Sequence, residues 1–364
     1  MLLELPSNRD EAWRWSDLSA LPALAAAPKR APHDDLRELP WLDCNVEGPR
    51  LVFVDGRLVA EQSRLGPLTI GTLEAGADDH ALGRLAGRNG WKLALGAHHA
   101  PAGLIQIVHV STGAADHLAA EVELDVDAQA SIVETFVGEG WTNRLSRFRL
   151  FKGARLMLAR RLLGTKGFVS LTDRARLGEG ASFVLTTLAA GGTDTRLDGE
   201  IIIAGKAAFA EAGGALLARG TQRHDNNLVL RHEAPGGASR QVWRSVADDK
   251  AVCSVAARVE VARPAQQTDA EQSLKGLLLS RTATINAKPE LEIFADDVKC
   301  AHGATVGALD PGALFYLASR GVPEAEAKAL LTQAFVADAI DRIGEEAVRE
   351  AFRADAIAWL GGTR

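Results

Sequence analysis

The sequence predicts a mainly β protein, with a right-handed parallel β-helix core (residues 103–308) between a mixed N-terminal region (1–102) and a helical C-terminal region (309–364). Three observations support this fold class. Short apolar-alternating runs broken by Gly, Asp and Asn fill the core, and hardly any stretch there is long enough for a three-turn helix. A turn pattern recurs at one or two multiples of about 25 residues, within the range of solenoid repeats. Tight two-residue hairpin turns, which the competing antiparallel sandwich needs, are nearly absent from the core.

Length and composition are compatible with this fold. A chain of 364 residues is too long for one ordinary compact core, but an elongated solenoid can hold most of it as one unit. The hydrophobic fraction of 47% and the charged fraction of 24% are typical of a soluble folded protein. The net charge of -6, with both signs mixed along the chain, provides no basic stripe for nucleic acid. We therefore expect no nucleic-acid partner.

The N-terminal region mixes short helical and extended pieces. Trp13, Trp15 and Leu18 lie among charged residues, in a pattern that a helix and an extended segment fit about equally well. The run 51–59 is clearer, because Asp55-Gly56 between two β-branched runs is a strong signal for a hairpin. The sequence therefore predicts a small antiparallel ribbon here.

The core is predicted from its strands and from the turns between them. Apolar-alternating runs predict strands at 104–110, 121–126, 182–187, 200–203 and 252–261. The recurring turn, led by Gly or Asp and followed by small residues, occurs at 127–131, 178–182, 205–208 and 249–253. Such a degenerate repeat indicates successive coils of a solenoid.

The C-terminal region is predicted to be helical, with clear start and stop signals. Asp310-Pro311 supplies a cap and a first-turn proline, Gly321 ends that helix, and Pro323 starts the next. The two long helices carry apolar stripes, which consist of Leu330, Leu331, Phe335, Ile340 and Ile343 and then of Val348, Phe352, Trp359 and Leu360. A helix pair is a natural cap for the end of a solenoid, but these stripes exceed what a cap requires. We expect the surplus apolar surface at Leu331, Phe335, Val348 and Phe352 to receive a partner.

Several function classes are not supported by the sequence. The chain opens without a signal-peptide pattern, and no window approaches about 18 uninterrupted apolar residues, so a cytoplasmic location and no membrane span are expected. Cys44, Cys253 and Cys300 are widely spaced, which fits reduced thiols and provides no Cys-x-x-Cys site. Neither a phosphate-binding loop nor a Gly-x-Ser-x-Gly motif occurs. We therefore expect a protein that is not an enzyme, with any ATP hydrolysis supplied by another chain.

The best candidate site lies in the segment 289–307, which reads as one strand carrying a thiol and an imidazole. Alternation along a strand places Cys300 and His302 on the same face, with Cα atoms about 6.6 Å apart at roughly 3.3 Å of rise per residue. Thiolate and imidazole both suit iron or zinc. The alternative is that His302 is a structural residue with a hydrogen bond near a turn, and that Cys300 packs as a small hydrophobe.

Other ionisable residues fit structural roles better. Asp296 and Asp297 are adjacent, so they face opposite sides of a strand and cannot act as a paired acid and base; a turn or docking residue is expected. Glu292 is interpreted as a solvated strand residue. His98-His99 follow a glycine in a loop. His224 and His232 would share a face only if one strand ran through both, so a solvated turn is expected there.

Several motifs resemble the SufB/SufD family of the Suf iron-sulfur cluster assembly system, over nearly the full length of the chain. They are the segments 5–18, 51–56, 134–137, 268–272 with 277–279, 288–307, 315–317 and 319–321. The most specific is 288–307, which reads Lys-Pro-Glu-Leu-Glu-Ile-Phe-Ala-Asp-Asp-Val-Lys-Cys-Ala-His-Gly-Ala-Thr-Val-Gly. The register that carries the SufB cysteine onto this chain falls near Ala283, so the missing thiol favours the SufD branch of the family.

The resemblance implies a parallel β-helix that acts as a scaffold rather than as an enzyme. It implies a SufB-like paralogue paired along the β-helix edge and a SufC-like ATPase docked on the helices of residues 309–364. The family's functional histidine falls on His302, which would face a SufB cysteine and iron or a transient iron-sulfur cluster shared with that partner. Cys300 would be a second, weaker candidate ligand. A histidine ligand is expected to labilise a cluster relative to ligation by cysteine alone.

Two alternatives remain open on the residues alone. One is a carbohydrate-active parallel β-helix enzyme, which would need a groove lined by carboxylates and aromatic side chains. The other is a purely structural homodimer, in which the same strand edge pairs with its own copy.

Overall fold

Each core strand lies beside a parallel strand that follows 26 to 32 residues later in the chain. The structure is a computed structural model that describes residues 3–28, 38–42, 48–73, 78–164 and 166–361. Phe168 pairs with Asp194 near one end of this range of spacings, and Val252 pairs with Thr284 at the other. Parallel pairing at a regular spacing confirms the predicted β-solenoid. Its right-handed sense, which is the rule for parallel crossovers, stays a prediction.

The strands form two parallel ladders that make up about eight coils in the described part of the chain. In chain order the strands are β1 (Arg50–Val54), β2 (Arg57–Leu58), β3 (Leu68–Thr72), β4 (Asn89–Leu95), β5 (Ile105–Leu124), β6 (Gln129–Leu150), β7 (Arg155–Leu162), β8 (Phe168–Leu177), β9 (Ser182–Ala189), β10 (Asp194–Ile203), β11 (Phe209–Ala218), β12 (Arg223–His232), β13 (Ala238–Ala247), β14 (Val252–Val261), β15 (Thr268–Leu278), β16 (Thr284–Ile293) and β17 (Val298–Ala308). The first ladder contains β1, the first halves of β5 and β6, and then β7, β9, β11, β13, β15 and β17. The second ladder contains β4, the second halves of β5 and β6, and then β8, β10, β12, β14 and β16.

The predicted N-terminal ribbon is confirmed. Strands β1 and β2 pair antiparallel, with Phe53 opposite Leu58, and the turn residues Asp55 and Gly56 have φ values of 47° and 74°. Positive φ at both central positions is the geometry that an Asp-Gly turn favours. Strands β1 and β4 also pair in parallel with β5, so the ladders begin within the N-terminal region.

One corner of the solenoid is a stack of left-handed turn residues. These are Asp127, Gly153, Gly180, Ala207, Gly236 and Gln267, all with φ between 53° and 70°. The amide of each residue donates to a carbonyl in the turn of the next coil, as from Asp127 to Lys152 at 2.8 Å and from Gly180 to Lys206 at 2.8 Å. Three of the four predicted turns therefore lie on this corner. The fourth, at Asp249, lies on the opposite corner, between β13 and β14.

The solenoid interior is filled by aliphatic and small side chains from the inner faces of both ladders. Leu93, Ile107, Ile132, Ile201 and Val259 are among those with no exposed surface. This continuous core runs along the coil axis, so each coil packs mainly on its two neighbours.

Charged side chains occupy part of this interior, which the sequence analysis did not anticipate. Arg160 donates from Nε to Glu134 Oε2 at 2.8 Å and from Nη2 to Asp173 Oδ1 at 2.9 Å, and all three residues are buried. His109 lies 3.3 Å from Glu134. Burial alone would raise the pKa of Glu134, but Arg160 and His109 lower it to about 2. Burial raises the pKa of Asp173 in spite of Arg160.

The N-terminal segment covers the outer face of the second ladder. Helix α1 (Leu21–Ala26) and the short 3-10 turn at Glu11–Trp13 place Trp13 and Leu21 against Trp141 and Phe168. Arg196 lies 4.3 Å from the centre of the Trp13 ring and donates to the Ala12 carbonyl at 2.8 Å. The ambiguous pattern around Trp13 therefore resolves into one short turn followed by one short helix.

Three C-terminal helices follow the last strand, namely α2 (Pro311–Ser319), α3 (Glu324–Ile340) and α4 (Glu346–Gly361). The predicted punctuation is confirmed, since Asp310 accepts from the amide of Gly312 at 2.9 Å and Gly321 follows α2 with φ of 84°. No helix of the described residues is long and apolar enough to cross a membrane.

Helices α3 and α4 do not cap the end of the solenoid, so that expectation was wrong. They lie along the outer face of the first ladder, where Val348 and Phe352 pack with Leu188, Leu217 and Val246. Ion pairs fix this position, including Arg161 with Asp355 at 2.6 Å and Arg342 with Glu211. An apolar stripe shows that a helix face is buried, but it does not say against which surface.

The expectation of a solvated turn at His224 and His232 was also wrong. A single strand, β12, runs through both residues, and both side chains are buried. His224 Nε2 lies 3.1 Å from the Leu217 carbonyl, and His232 Nε2 lies 2.9 Å from Ser239 Oγ. Burial lowers the pKa of each imidazole to about 4, so both are neutral at neutral pH.

These buried histidines predict a loss of stability in mild acid. Between pH 6.5 and about 4 the unfolded chain takes up a proton at His224 that the folded chain does not, so stability is complete above this window and falls as the pH drops through it. We expect the decrease in unfolding free energy between pH 7 and 4.5 to be smaller by about 2 to 3 kcal/mol in His224→Gln than in the wild type. Urea unfolding at both pH values measures this. The exposed His99→Gln should match the wild type, and an equal decrease in all three proteins would contradict the prediction.

Candidate functional site

The last strand of the solenoid is open to solvent. Strand β17 pairs with β15 on one side, from Val298 opposite Thr268 to Ala308 opposite Leu278, and no strand of the described residues pairs with its other edge. Most of its residues are exposed. The segment 289–307 is therefore two strands rather than one, because β16 ends at Ile293 and β17 begins at Val298.

The structure places Cys300 and His302 on the same face of β17. Cys300 lies opposite Ala270 and His302 lies opposite Gln272, and both of these partners face the solenoid interior. Cys300 is half-buried at the edge of the core, whereas His302 is exposed. The two side chains therefore lie along the inner rim of the open coil.

The two candidate ligands differ in their readiness to bind a metal. Burial raises the pKa of the Cys300 thiol; the amide of Ala270 works against this, and Asp269 adds to it. A raised pKa keeps the thiol protonated, and metals bind the thiolate. No group of three or more His, Cys, Asp or Glu residues in the described ranges is arranged to hold a metal ion. The exposed His302 remains the first candidate ligand of this pair.

The acidic residues near this strand have structural positions. Asp296 and Asp297 lie in the connection between β16 and β17, where the Asp297 amide donates to Gln266 Oε1 at 2.9 Å and the Asp297 carbonyl accepts from the Gln267 amide. The predicted turn is thus confirmed. Glu292 is exposed on β16 and pairs with Arg258 at 3.4 Å, but the break between the two strands removes any shared face with Cys300.

Two of the four expected partner-binding residues have no free surface. Val348 and Phe352 have no exposed area and hold α4 against the first ladder. Leu331 and Phe335 on α3 are partly exposed. The expectation that all four residues form a docking stripe was therefore wrong, because the solenoid itself covers the stripe on α4.

The resemblance includes α2 in the helical region expected to dock an ATPase, but the partner-binding residues named from the sequence all lie on α3 and α4. None of the residues of α2 is buried, and Phe315 and Tyr316 are 76% and 58% exposed. Arg320 lies 5.4 Å from the centre of the Tyr316 ring. A usable signal was present, since a capped helix with six consecutive apolar or aromatic residues has no single apolar stripe and cannot bury them all on one surface.

The thiols fall in different environments. Cys253 is fully buried, and burial raises its pKa, so it is an inert packing residue rather than a reactive thiol. Both Cys253 and Cys300 are free. Cys44 lies outside the described residues.

A cleft of about 520 Å³ borders the open coil. It lies between the N-terminal segment and the last two strands, with Trp15, Ile285, Ala287, Ala304 and Val306 among its lining residues. Lys288 on β16 pairs with Glu11 of the N-terminal segment at 2.5 Å. Arg14, Asn286, Lys288 and Thr305 complete the lining, so the cleft is mixed in polarity. Ala304 and Val306 lie on the same face of β17 as His302, so the inner rim continues into this cleft.

Comparisons with known proteins agree with this architecture. Residues 108–335 match the family model described as SUF system FeS cluster assembly, SufBD core domain. The iron-sulfur cluster assembly protein SufD of Escherichia coli (strain K12) is 26% identical over 379 residues, which cover 95% of this chain and 87% of that protein. An iron-sulfur cluster assembly SufBD family protein of Synechocystis is 40% identical over 124 residues, covering 34% of this chain and 27% of the relative. Protein ABCI7, chloroplastic, of Arabidopsis thaliana is 39% identical over 129 residues, with shares of 35% and 27%.

Proposed function

We propose, from the premise that this chain belongs to the SufBD family of iron-sulfur cluster assembly proteins, that it is a non-catalytic scaffold subunit presenting His302 to iron or a nascent cluster. The observation that carries the proposal is the position of His302, which lies exposed on the inner rim of a final strand whose other edge pairs with no strand of the described residues. Family membership favours this role over that of a carbohydrate-active enzyme.

The number of ligands on this chain argues for a shared site. Iron in a cluster takes four ligands, and cysteine thiolates or imidazoles supply those that come from protein. Among the residues of β17 that face the rim, Cys300 and His302 are the two whose side chains can bind iron. Burial raises the pKa of the Cys300 thiol, which favours its protonated form. A second protein would supply the remaining ligands. Shared ligation that includes an imidazole binds the cargo loosely enough for release, which suits a scaffold.

The unpaired edge of β17 supports a partner that also offers a β edge. An exposed edge strand presents unsatisfied amides and carbonyls that readily pair with another chain. A SufB-like paralogue built on the same solenoid would extend the first ladder across the interface. His302 would then lie at the junction, next to ligands from the partner. A homodimer through the same edge is the alternative that the test below distinguishes.

We place the docking surface for a SufC-like ATPase on α2 rather than on the stripe of α4. Phe315 and Tyr316 expose two aromatic rings next to Arg320, and aromatic and Arg side chains are enriched among residues that dominate binding energy. Leu330 on α3 is a further exposed apolar residue of these helices, at 45%. ATP hydrolysis by the partner could then move helices directly connected to β17.

Replacing His302 by alanine should impair cluster assembly without affecting the fold or the complex. The side chain is exposed on the last strand, so its removal costs little stability. Mutating a residue that only supports a metal ligand typically lowers metal affinity by about 10- to 100-fold. Losing the ligand itself should weaken the binding of iron or cluster by at least as much. Complementation of a host that lacks its own subunit, together with co-purification of the partners, measures both effects.

His99→Ala is the matched control, since His99 is an exposed histidine in a loop distant in sequence from β17. It should complement like the wild type. Cys300→Ser tests the neighbouring thiol separately and is expected to have the smaller effect. Normal assembly with His302→Ala, or loss of folding or of the complex, would leave His302 as a structural residue. A wild-type chain that co-purifies only with itself would favour the homodimer.

A further inference from the structure

Gln272 lies directly beneath His302 in the adjacent coil. The two residues are register partners in β15 and β17, and Ala270 and Leu274 on either side of Gln272 belong to the core. Gln272 is 1% exposed and faces the interior. His302 occupies the same position one coil further on, so its side chain projects from the same side of the ladder.

The orientation of the Gln272 amide is determined by its inner contact. Its Nε2 donates to the Ala257 carbonyl at 2.8 Å, across the interior. A carbonyl can only accept, so the amide cannot be turned over without placing two acceptors together. The oxygen of Gln272 must therefore point away from this contact, and it is buried without a hydrogen-bond partner among the described residues.

Gln241 repeats the arrangement one coil deeper. It is the register partner of Gln272, its Nε2 donates to the Arg258 carbonyl at 3.0 Å, and its Oε1 is also buried and unpartnered. The difference between the two residues is their outer neighbour. The register partner of Gln241 in the next coil is another glutamine, Gln272. The register partner of Gln272 in the next coil is His302, whose imidazole can supply an N–H.

We propose that Gln272 is a positioning residue whose Oε1 accepts a hydrogen bond from one ring N–H of His302. This inference rests on the proposed role of His302. An imidazole that binds a metal through one nitrogen normally donates its other N–H to a fixed acceptor, which sets the tautomer and the ring orientation. The bond satisfies the buried oxygen of Gln272 and leaves the second ring nitrogen of His302 directed at the cargo.

The tautomer of His302 gives the test. In ¹⁵N-histidine-labelled full-length chain at mildly alkaline pH, NMR correlations through the ring should show one dominant tautomer, with the His302 signal assigned by its loss in His302→Ala. Gln272→Met, which keeps the side-chain volume and removes the oxygen, should shift the tautomer ratio by about 2- to 10-fold, the contribution of one hydrogen bond. Gln272→Asn keeps an amide but withdraws it, and should give the same shift if the Met variant fails to fold.

Gln241→Met is the matched control, because it loses the same kind of inner contact without touching His302. It should leave the His302 signal unchanged. An unchanged tautomer ratio in the Gln272 variants, or an equal change with Gln241→Met, would overturn the proposal. The tautomer measurement does not depend on cluster assembly. Normal assembly by His302→Ala would therefore refute the proposed function without contradicting the proposed hydrogen bond in the wild-type protein.

Discussion

Replacing Arg160 by alanine should lower the free energy of unfolding by about 3 to 5 kcal/mol. Arg160 is 1% exposed and holds the carboxylates of Glu134 and Asp173 inside the solenoid. Removing the guanidinium leaves two buried acids without a cation and a cavity between them. The penalty is large because buried charges lose their hydration and keep no compensating partner. Urea unfolding followed by circular dichroism measures the change.

Arg174→Ala is the control for this prediction. Arg174 also forms an ion pair, with Asp78 at 3.2 Å, but its side chain is 30% exposed, and such pairs contribute about 1 kcal/mol or less. Combining Arg160→Met with Glu134→Gln and Asp173→Asn should recover much of the loss, since the unpaired acids are then gone. A loss below about 1 kcal/mol for Arg160→Ala would show that water or a shift of the coil compensates the carboxylates.

Replacing Phe315 and Tyr316 together by serine should abolish co-purification of the ATPase. Each ring is largely exposed, so the substitutions should leave the fold intact, and removing dominant aromatic contacts typically weakens binding by about 30-fold or more. Affinity purification from cells, followed by quantification of the bound ATPase, measures this. Association with the paralogue should be unchanged, because α2 lies outside β17.

Ile357→Ser on α4 is the matched control, since Ile357 is a similarly exposed apolar residue at 47%. It should retain the ATPase. Retention by the double variant of α2 and loss by Ile357→Ser would move the docking surface to α4. Deleting residues 322–364 is a poor test, because it would also uncover Leu188, Leu217 and Val246.

The fold could be predicted because its signals are local. Asp55-Gly56 specifies a turn with two positive φ values, Asp310 and Gly321 delimit α2, and the turns at Asp127 and Gly180 recur at nearly constant spacing. Each signal depends on a few neighbouring residues. The spacing of the turns gives the length of each coil, so the solenoid could be predicted without knowing which distant residues are in contact.

The parts that could not be predicted depend on contacts between coils. His224 is buried because it lies between Thr195 and Cys253 in the second ladder, which its neighbours in sequence do not reveal. The break between β16 and β17 follows from the turn stack that contains Gln267, one coil earlier. At the site, spacing placed Cys300 beside His302, but only the register shows Gln272 beneath the imidazole.

The helices on the side of the solenoid have a consequence for how the molecule comes apart. In an array whose repeats contact only their neighbours, the terminal repeat can unravel independently of the rest. Here Arg161 on β7 binds Asp355 on α4, and Arg244 on β13 binds Asp338 on α3, so one helix pair is tied to distant coils. Glu11 likewise ties the N-terminal segment to Lys288 in the last coil. Loss of one coil would then require breaking these contacts as well, so we expect the repeats to unfold in one cooperative transition. We therefore expect the exposed rim that carries His302 not to fray on its own.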